Sequence, residues 1–209
     1  MNAVLLAGGV LEVSVRVFER VRGAALVVAA DGGARHAAPL GLTIDVWVGD
    51  FDSSDDLNLS APRQTFPREK DKTDLELALE VAKNSGATSA LVIGAFGGRF
   101  DHALGIALMA ARETSAGFTI DLESGNETGW ILTPAHPLEL PLGKGQTFSL
   151  LALHGDARGL TITGAKWNLE GIALNFGSSL GISNEAFGTV NLSLRSGCVL
   201  VIAQAASSR

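Results

Sequence analysis

Val46-Trp47-Val48-Gly49-Asp50-Phe51-Asp52-Ser53 sets an apolar run directly before two aspartates one residue apart. The apolar triplet ending in glycine reads as a short buried strand. Side chains at i and i+2 of an extended chain point the same way, so Asp50 and Asp52 project together if the strand geometry continues past Gly49. Two like charges held that close repel. A cation between them removes the conflict, and all-oxygen ligation is what Mg²⁺ accepts. The same stretch also reads as a turn in which Asp52 hydrogen-bonds the backbone near Ser53 and Ser54.

Outward from this strand, the N-terminal half alternates short apolar runs with longer amphipathic ones, the pattern of a parallel α/β sheet. Candidate strands cover Ala3 to Ala7, Ala24 to Ala30, Val46 to Val48 and Ala90 to Ile93. Each ends in glycine or aspartate: Gly8-Gly9, Asp31-Gly32-Gly33, Gly49-Asp50 and Gly94. In open α/β sheets ligands bind beyond the carboxyl ends of the strands, so these junctions are expected to converge. That convergence favours a site over a plain turn at Asp50.

A helix is predicted from Asp74 to Asn84. Thr73-Asp74-Leu75-Glu76 fits a capping box, and Leu75, Ala78, Leu79 and Ala82 form one apolar stripe. A second helix is expected from His102 to Ala116, capped by Asp101 and closed by Gly117. Leu11 to Arg22 alternates valines like a strand but is assigned as helix, because a parallel crossover needs one there. Pro39 should shorten or kink any helix over Ala34 to Leu40.

Beyond this region the texture changes to short β-type runs separated by glycine, proline or asparagine. They cover Trp130 to Leu132, Thr147 to Leu153, Leu160 to Thr163, Ile172 to Asn175, Val190 to Leu194 and Val199 to Ala203, with Ser196-Gly197 as a hairpin turn between the last two. The spacing suggests a small antiparallel sandwich or barrel-like domain. A domain boundary falls near Leu122 to Gly129, giving a 1–125 α/β domain and a 126–209 β domain.

Composition narrows the function. Of 209 residues, 46% are hydrophobic and 18% charged, as in an ordinary folded protein. A net charge of −6 without a Lys/Arg run argues against a nucleic-acid partner. No run approaches the roughly 18 apolar residues of a membrane span, and the start Met-Asn-Ala-Val-Leu lacks a basic signal-peptide head. A cytoplasmic location is expected, and the single cysteine, Cys198, is compatible with it.

Two further polar clusters carry possible chemistry. Lys70-Asp71-Lys72-Thr73-Asp74 stands at a helix N-terminus, where the dipole favours an anion and Lys70 or Lys72 can meet phosphate oxygens. Thr73 and Asp74 also serve simply as cap and first-turn acid. Gly97-Gly98-Arg99-Phe100-Asp101-His102 joins the last parallel strand to its helix. Its glycines let backbone approach a ligand, and Arg99 offers a planar fork for phosphate. Asp101 alone reads equally as an N-cap, and His102 as a structural histidine. Neither a P-loop nor a G-x-G-x-x-G fingerprint is present, which disfavours a P-loop kinase and a Rossmann dehydrogenase.

Together, Asp31-Gly32-Gly33, Gly49-Asp50-Phe51-Asp52-Ser53, Lys70-Asp71-Lys72-Thr73-Asp74, Gly97-Gly98-Arg99-Phe100-Asp101-His102 and Ser183-Asn184-Glu185 resemble, in that order, the thiamine pyrophosphokinase family. The resemblance implies an N-terminal α/β catalytic domain, a C-terminal β-sandwich that helps bind thiamine, and a homodimer with sites at the subunit interface. It implies transfer of the pyrophosphoryl group of ATP to the thiamine hydroxyl, dependent on Mg²⁺, giving thiamine diphosphate and AMP. Asp50, Asp52 and Asp74 match the family's metal-binding acids, and Arg99 and Asp101 its pair at the phosphates and the reacting hydroxyl. Asp31, Gly32, Gly33, Lys70, Asp71, Thr73, Gly97, Gly98 and His102 fall in the nucleotide-side motifs. Ser183 and Asn184 match the Ser-Asn near thiamine. Trp167 stands where the family commonly has an aromatic, suited to stacking on a flat cation; burial in the β core is the other reading of it. Two other functions remain open: a pyrophosphokinase for another hydroxyl-bearing heterocycle such as a pterin, and a non-catalytic nucleotide or thiamine sensor.

Overall fold

The computed structural model describes residues 1–50, 61–65 and 71–206; Asp52 and Lys70 lie outside the described residues. The chain divides into two compact units, Met1–Ile106 with Asp121–Gly125, and Ala107–Ile120 with Asn126–Arg209.

The first unit contains β1 (Asn2–Leu6), α1 (Val15–Val21), β2 (Leu26–Ala30), β3 (Val46–Gly49), β4 (Arg63–Thr65), α2 (Asp74–Asn84) and β5 (Ser89–Ile93). α3 (Phe100–Ser115) and β6 (Thr119–Glu123) are divided between the units. The strands run parallel in the order β5-β1-β2-β3-β4, with Leu5 opposite both Val28 and Val92. One core joins Val4, Leu6, Val27, Ala29, Trp47, Leu91 and Ile93 to Val17 and Val21 of α1. α2 packs on β1, β2 and β3.

α2 has the predicted bounds, and its capping box is complete: the Thr73 hydroxyl accepts from the Glu76 N–H while the Glu76 carboxylate accepts from the Thr73 N–H. α1 is helical as expected but starts only at Val15, capped by Ser14. Residues before it are drawn into other pairings, the Val10 N–H donating to Phe96 O and the Glu12 N–H to Ser124 O. Around Pro39 the chain forms two 3₁₀ turns, Asp31–His36 and Ala38–Leu40, in place of one helix. Proline has no N–H to continue an α-helical ladder. α3 starts at Phe100, so Asp101 lies inside the first turn rather than at the cap; its carboxylate accepts from the adjacent His102 N–H.

In the second unit β7 (Glu127–Leu132), β8 (Leu138–Pro141), β9 (Thr147–Ala152), β10 (Ala157–Ala165), β11 (Leu169–Leu174), β12 (Asn184–Ser193) and β13 (Val199–Gln204) form two antiparallel layers. One is β11-β10-β12-β8 and the other β9-β13-β7. Asn184 and Glu185, at the start of β12, also pair with Phe148 and Thr147 of β9. Alternating residues of both layers, among them Leu140, Phe148, Leu150, Leu160, Ile162, Val190, Leu192, Val199 and Val201, close on one core. This is the expected sandwich.

Ser196-Gly197 is not a hairpin turn. β12 and β13 belong to different layers, and Ser196 pairs with Arg158. Cys198 is 4% exposed, and burial pushes its thiol above the usual range. No helix among the described residues is long and apolar enough to cross a membrane.

Candidate functional site

A parallel sheet delivers the carboxyl ends of its strands to one edge, and the first unit gathers glycine and aspartate there. The Gly9 N–H donates to Gly94 O at 3.1 Å, joining the ends of β1 and β5. Gly33 lies so close to β1 that a Cβ on it would stand 2.1 Å from Leu6 O. The same construction on Gly49 falls 3.2 Å from the Asp31 Cβ, so the ends of β2 and β3 are also in contact. Trp47 fixes that contact by donating its Nε1–H to Asp31 O at 2.9 Å. Asp31 itself has φ +40°, a left-handed backbone that turns the chain out of β2.

Asp50 is half-buried immediately beyond Gly49. Asp74 is half-buried in the first turn of α2, and Asp71 and Thr73 are exposed just before it. Lys72 is engaged in an ion pair with Glu80. Among the described residues no three His, Cys, Asp or Glu side chains gather to hold a metal. Asp50 and Asp74 supply carboxylate oxygens only, the donor type a hard cation such as Mg²⁺ prefers, so the residues fit that ion in chemistry.

Between β5 and α3, Gly97 and Gly98 have φ +74° and +68°, conformations that L side chains rarely adopt. Their turn presents Arg99 and Asp101. The Arg99 Nη2 and Nε donate to the two carboxylate oxygens of Asp101 at 2.6 and 3.1 Å, a two-pronged pair. Both side chains are open to solvent, at 72% and 63% exposure, so the pair is accessible to an incoming anion. Hydrogen bonding from Arg99 holds the Asp101 carboxyl below the usual carboxylate range, and the reciprocal bond raises Arg99. His102 is exposed at the start of α3.

His36 gave no signal in the sequence, yet it sits 8% exposed beneath this edge with Nε2 3.0 Å from Gly9 O. Burial lowers its pKa. Trp47 was legible only as a strand residue, because its contact with Asp31 O joins segments that local pattern cannot pair.

In the second unit Trp167 is 54% exposed, so the core reading of this residue fails. It lies in the turn between β10 and β11, with the Lys166 ammonium 4.8 Å from its ring centroid. Asn184, 7% exposed, fixes that turn. Its Oδ1 accepts from the Trp167 N–H at 3.2 Å and its Nδ2 donates to Trp167 O at 2.9 Å. Neighbouring Ser183 has φ +62°, and its N–H donates to the Ser149 hydroxyl at 3.0 Å. The structure thus brings Trp167, Ser183 and Asn184 to one place, with the Lys166 ammonium over one face of an exposed indole.

Two family models match the sequence: "Thiamin pyrophosphokinase, catalytic domain" over residues 19–120 and "Thiamin pyrophosphokinase, vitamin B1 binding domain" over residues 135–199. The thiamine pyrophosphokinase of Bacillus subtilis (strain 168) is 31% identical over 144 residues, which is 66% of this chain and 67% of that protein. The fold is similar to the crystal structure of the thiamine pyrophosphokinase from Bacillus subtilis, with a TM-score of 0.84 at 23% identity over 98% of this chain and 99% of that one. It is also similar to that from Geobacillus thermodenitrificans, with a TM-score of 0.80 at 24% identity over 100% and 99% of the two chains. With both family domains matched in order along one sequence, the chain belongs to the thiamin pyrophosphokinase family.

Proposed function

We propose that the protein transfers the pyrophosphoryl group of ATP to the hydroxyl of thiamine, releasing AMP and thiamine diphosphate. What carries this reading is the match of a catalytic and a vitamin B1 binding domain within one chain. The domains are taken as residues 1–125 and 126–209. Neither a pterin substrate nor a sensor role gains an observation of its own.

In this transfer the thiamine hydroxyl oxygen bonds to the β-phosphorus while the bond from that phosphorus to the oxygen bridging to the α-phosphate breaks. AMP leaves with the bridging oxygen, and the hydroxyl proton passes to a base. Such reactions depend mainly on positioning and neutralisation of charge. Asp50, Asp52 and Asp74 are assigned to hold Mg²⁺, which when bound neutralises phosphate charge and orients the chain of phosphates. Arg99 is assigned to the oxygens of the transferred group. Asp101 orients the hydroxyl and accepts its proton; the Arg99–Asp101 pair supports this, since a phosphate that draws Arg99 away frees the carboxylate. The backbone at Asp31, Gly32, Gly33, Gly97 and Gly98, together with Lys70, Asp71, Thr73 and His102, is assigned to the nucleotide side.

Thiamine is assigned to Trp167, Ser183 and Asn184. An exposed indole is a good platform for a flat cationic heterocycle, and the Asn184 hydrogen bonds keep its backbone fixed before the ligand arrives. A homodimer with sites at the subunit interface and a cytoplasmic location complete the proposal.

The test is to incubate purified protein with ATP, Mg²⁺ and thiamine and separate the adenine products. Thiamine-dependent AMP is expected, and an Asp50→Asn variant should lose at least about a hundredfold in turnover while its melting temperature stays close to that of the parent. ADP in place of AMP, or near-normal turnover in Asp50→Asn, would overturn the reaction or the metal assignment respectively.

A further inference from the structure

We propose that Glu123 is a positioning residue that locks the Gly94–Arg99 loop in place for the reaction, a role resting on the assignment of Arg99 to the phosphates. Glu123 is 0% exposed. Its Oε1 accepts from Arg16 Nη2 at 3.1 Å and from the Gly125 N–H at 2.7 Å, and its Oε2 accepts from Arg20 Nη1 at 3.0 Å. Arg16 and Arg20 are one turn apart on α1, so they reach the carboxylate from one helix face. Arg16 Nη2 also donates to Gly125 O at 2.7 Å, and Arg20 Nη2 to Asp121 at 2.7 Å. A buried carboxylate is retained when both oxygens are occupied in this way.

The main chain of the same residue holds the loop. Glu123 O accepts from the Gly94 N–H at 2.9 Å and the Ala95 N–H at 3.3 Å. Gly94 O and Phe96 O in turn accept from the Gly9 and Val10 N–H groups, each at 3.1 Å, and the Glu12 N–H donates to Ser124 O at 2.9 Å. Residues 9–12, 94–96 and 123–125 therefore form a closed ring of main-chain hydrogen bonds. It is packed so tightly that a Cβ on Gly125 would stand 1.9 Å from Glu12 O. Glu123 anchors this ring to α1 through its carboxylate. Arg99 follows two glycines in left-handed conformations, so the position of its guanidinium is set by where the ring leaves Phe96. A displacement of about 1 Å at a reacting group can cost on the order of a hundredfold in rate.

The test compares Glu123→Gln, and Arg16→Ala as a milder second variant, with Leu40→Ala, a core truncation in the same unit away from the ring. Hydrogen exchange is read at the amides of Gly9, Val10, Gly94 and Ala95 against those of Leu5 and Val92 in the β1–β5 ladder. Both ring variants should speed exchange at the ring amides at least about tenfold relative to the ladder. They should also lower kcat/KM for ATP by at least about tenfold while the KM for thiamine stays within about twofold. Leu40→Ala should lower the melting temperature without either change. Exchange that rises equally in ring and ladder, or not at all, overturns the proposal. Faster ring exchange with an unchanged kcat/KM for ATP upholds the clamp and refutes the assignment of Arg99 instead.

Discussion

Replacing Asn184 with alanine tests the coupling between the start of β12 and the turn that displays Trp167. The side chain is buried and has three main-chain partners: the Trp167 N–H at 3.2 Å, the Glu185 N–H at 2.8 Å and Trp167 O at 2.9 Å. Alanine removes all of them. At about 1 kcal/mol net for each bond the loss comes to roughly 3 kcal/mol, less whatever water entering the vacated space restores. For a chain of this size each kcal/mol moves the melting temperature by about 2–4 °C, so calorimetry should show a fall of roughly 6–12 °C. Steady-state kinetics on the same variant should show the KM for thiamine rising about tenfold with the KM for ATP unchanged, because the indole is no longer held ready. Asn184→Asp keeps both acceptor roles and should fall between parent and alanine in both measurements. A melting shift below about 2 °C would refute the hydrogen-bond reasoning. A full shift with unchanged KM for thiamine would refute Trp167 as the platform.

Two pH experiments follow from the shifted groups. Arg99→Lys breaks the two-pronged pair that depresses the Asp101 carboxyl before ATP binds, so the acid limb of kcat/KM for ATP at saturating thiamine, which reports the ATP-free enzyme, should move to higher pH; an unmoved limb excludes Asp101 as the titrating base. His36 is held below 6.5 chiefly by burial, so the unfolded chain takes up its proton more readily. The stability due to neutral His36 is complete above pH 6.5 and is lost as pH falls from there toward the folded value. His36→Gln, which keeps a donor near Gly9 O, should flatten that part of the melting curve against pH, and an unchanged slope would exclude this origin.

How far the fold could be read from sequence depended on whether each signal was local. α2 carries its own start signal, Thr73 and Glu76, and its bounds were legible to the residue. The parallel strands β1, β2, β3 and β5 announce themselves as apolar runs stopped by glycine or aspartate. β4, Arg63–Thr65, does not, because it is an exposed edge strand of three polar residues. β6 hides its apolar alternation behind Asp121 and Glu123, acids whose arginine partners lie about a hundred residues earlier. β8 ends in Pro141 and pairs with β12 alone among the named strands. Ser196-Gly197 misled for the opposite reason: a turn dipeptide describes its own backbone and not which strands pair around it. At the site, residue types in fixed spacing marked Asp50, Arg99 and Asp101. The hold of Asn184 on Trp167 and of Glu123 on the Gly94 loop joins distant segments, and no local spacing encodes it.

The burial of Cys198 has a practical side. With the only sulfhydryl of the chain shielded and its ionisation suppressed, alkylating reagents at neutral pH have little thiolate to attack in the native protein. One cysteine introduced at an exposed position such as Phe176 would then be the sole rapidly modified group. A fluorophore or spin label could be attached there without first deleting the natural residue, giving a stoichiometric reporter on an otherwise unaltered molecule.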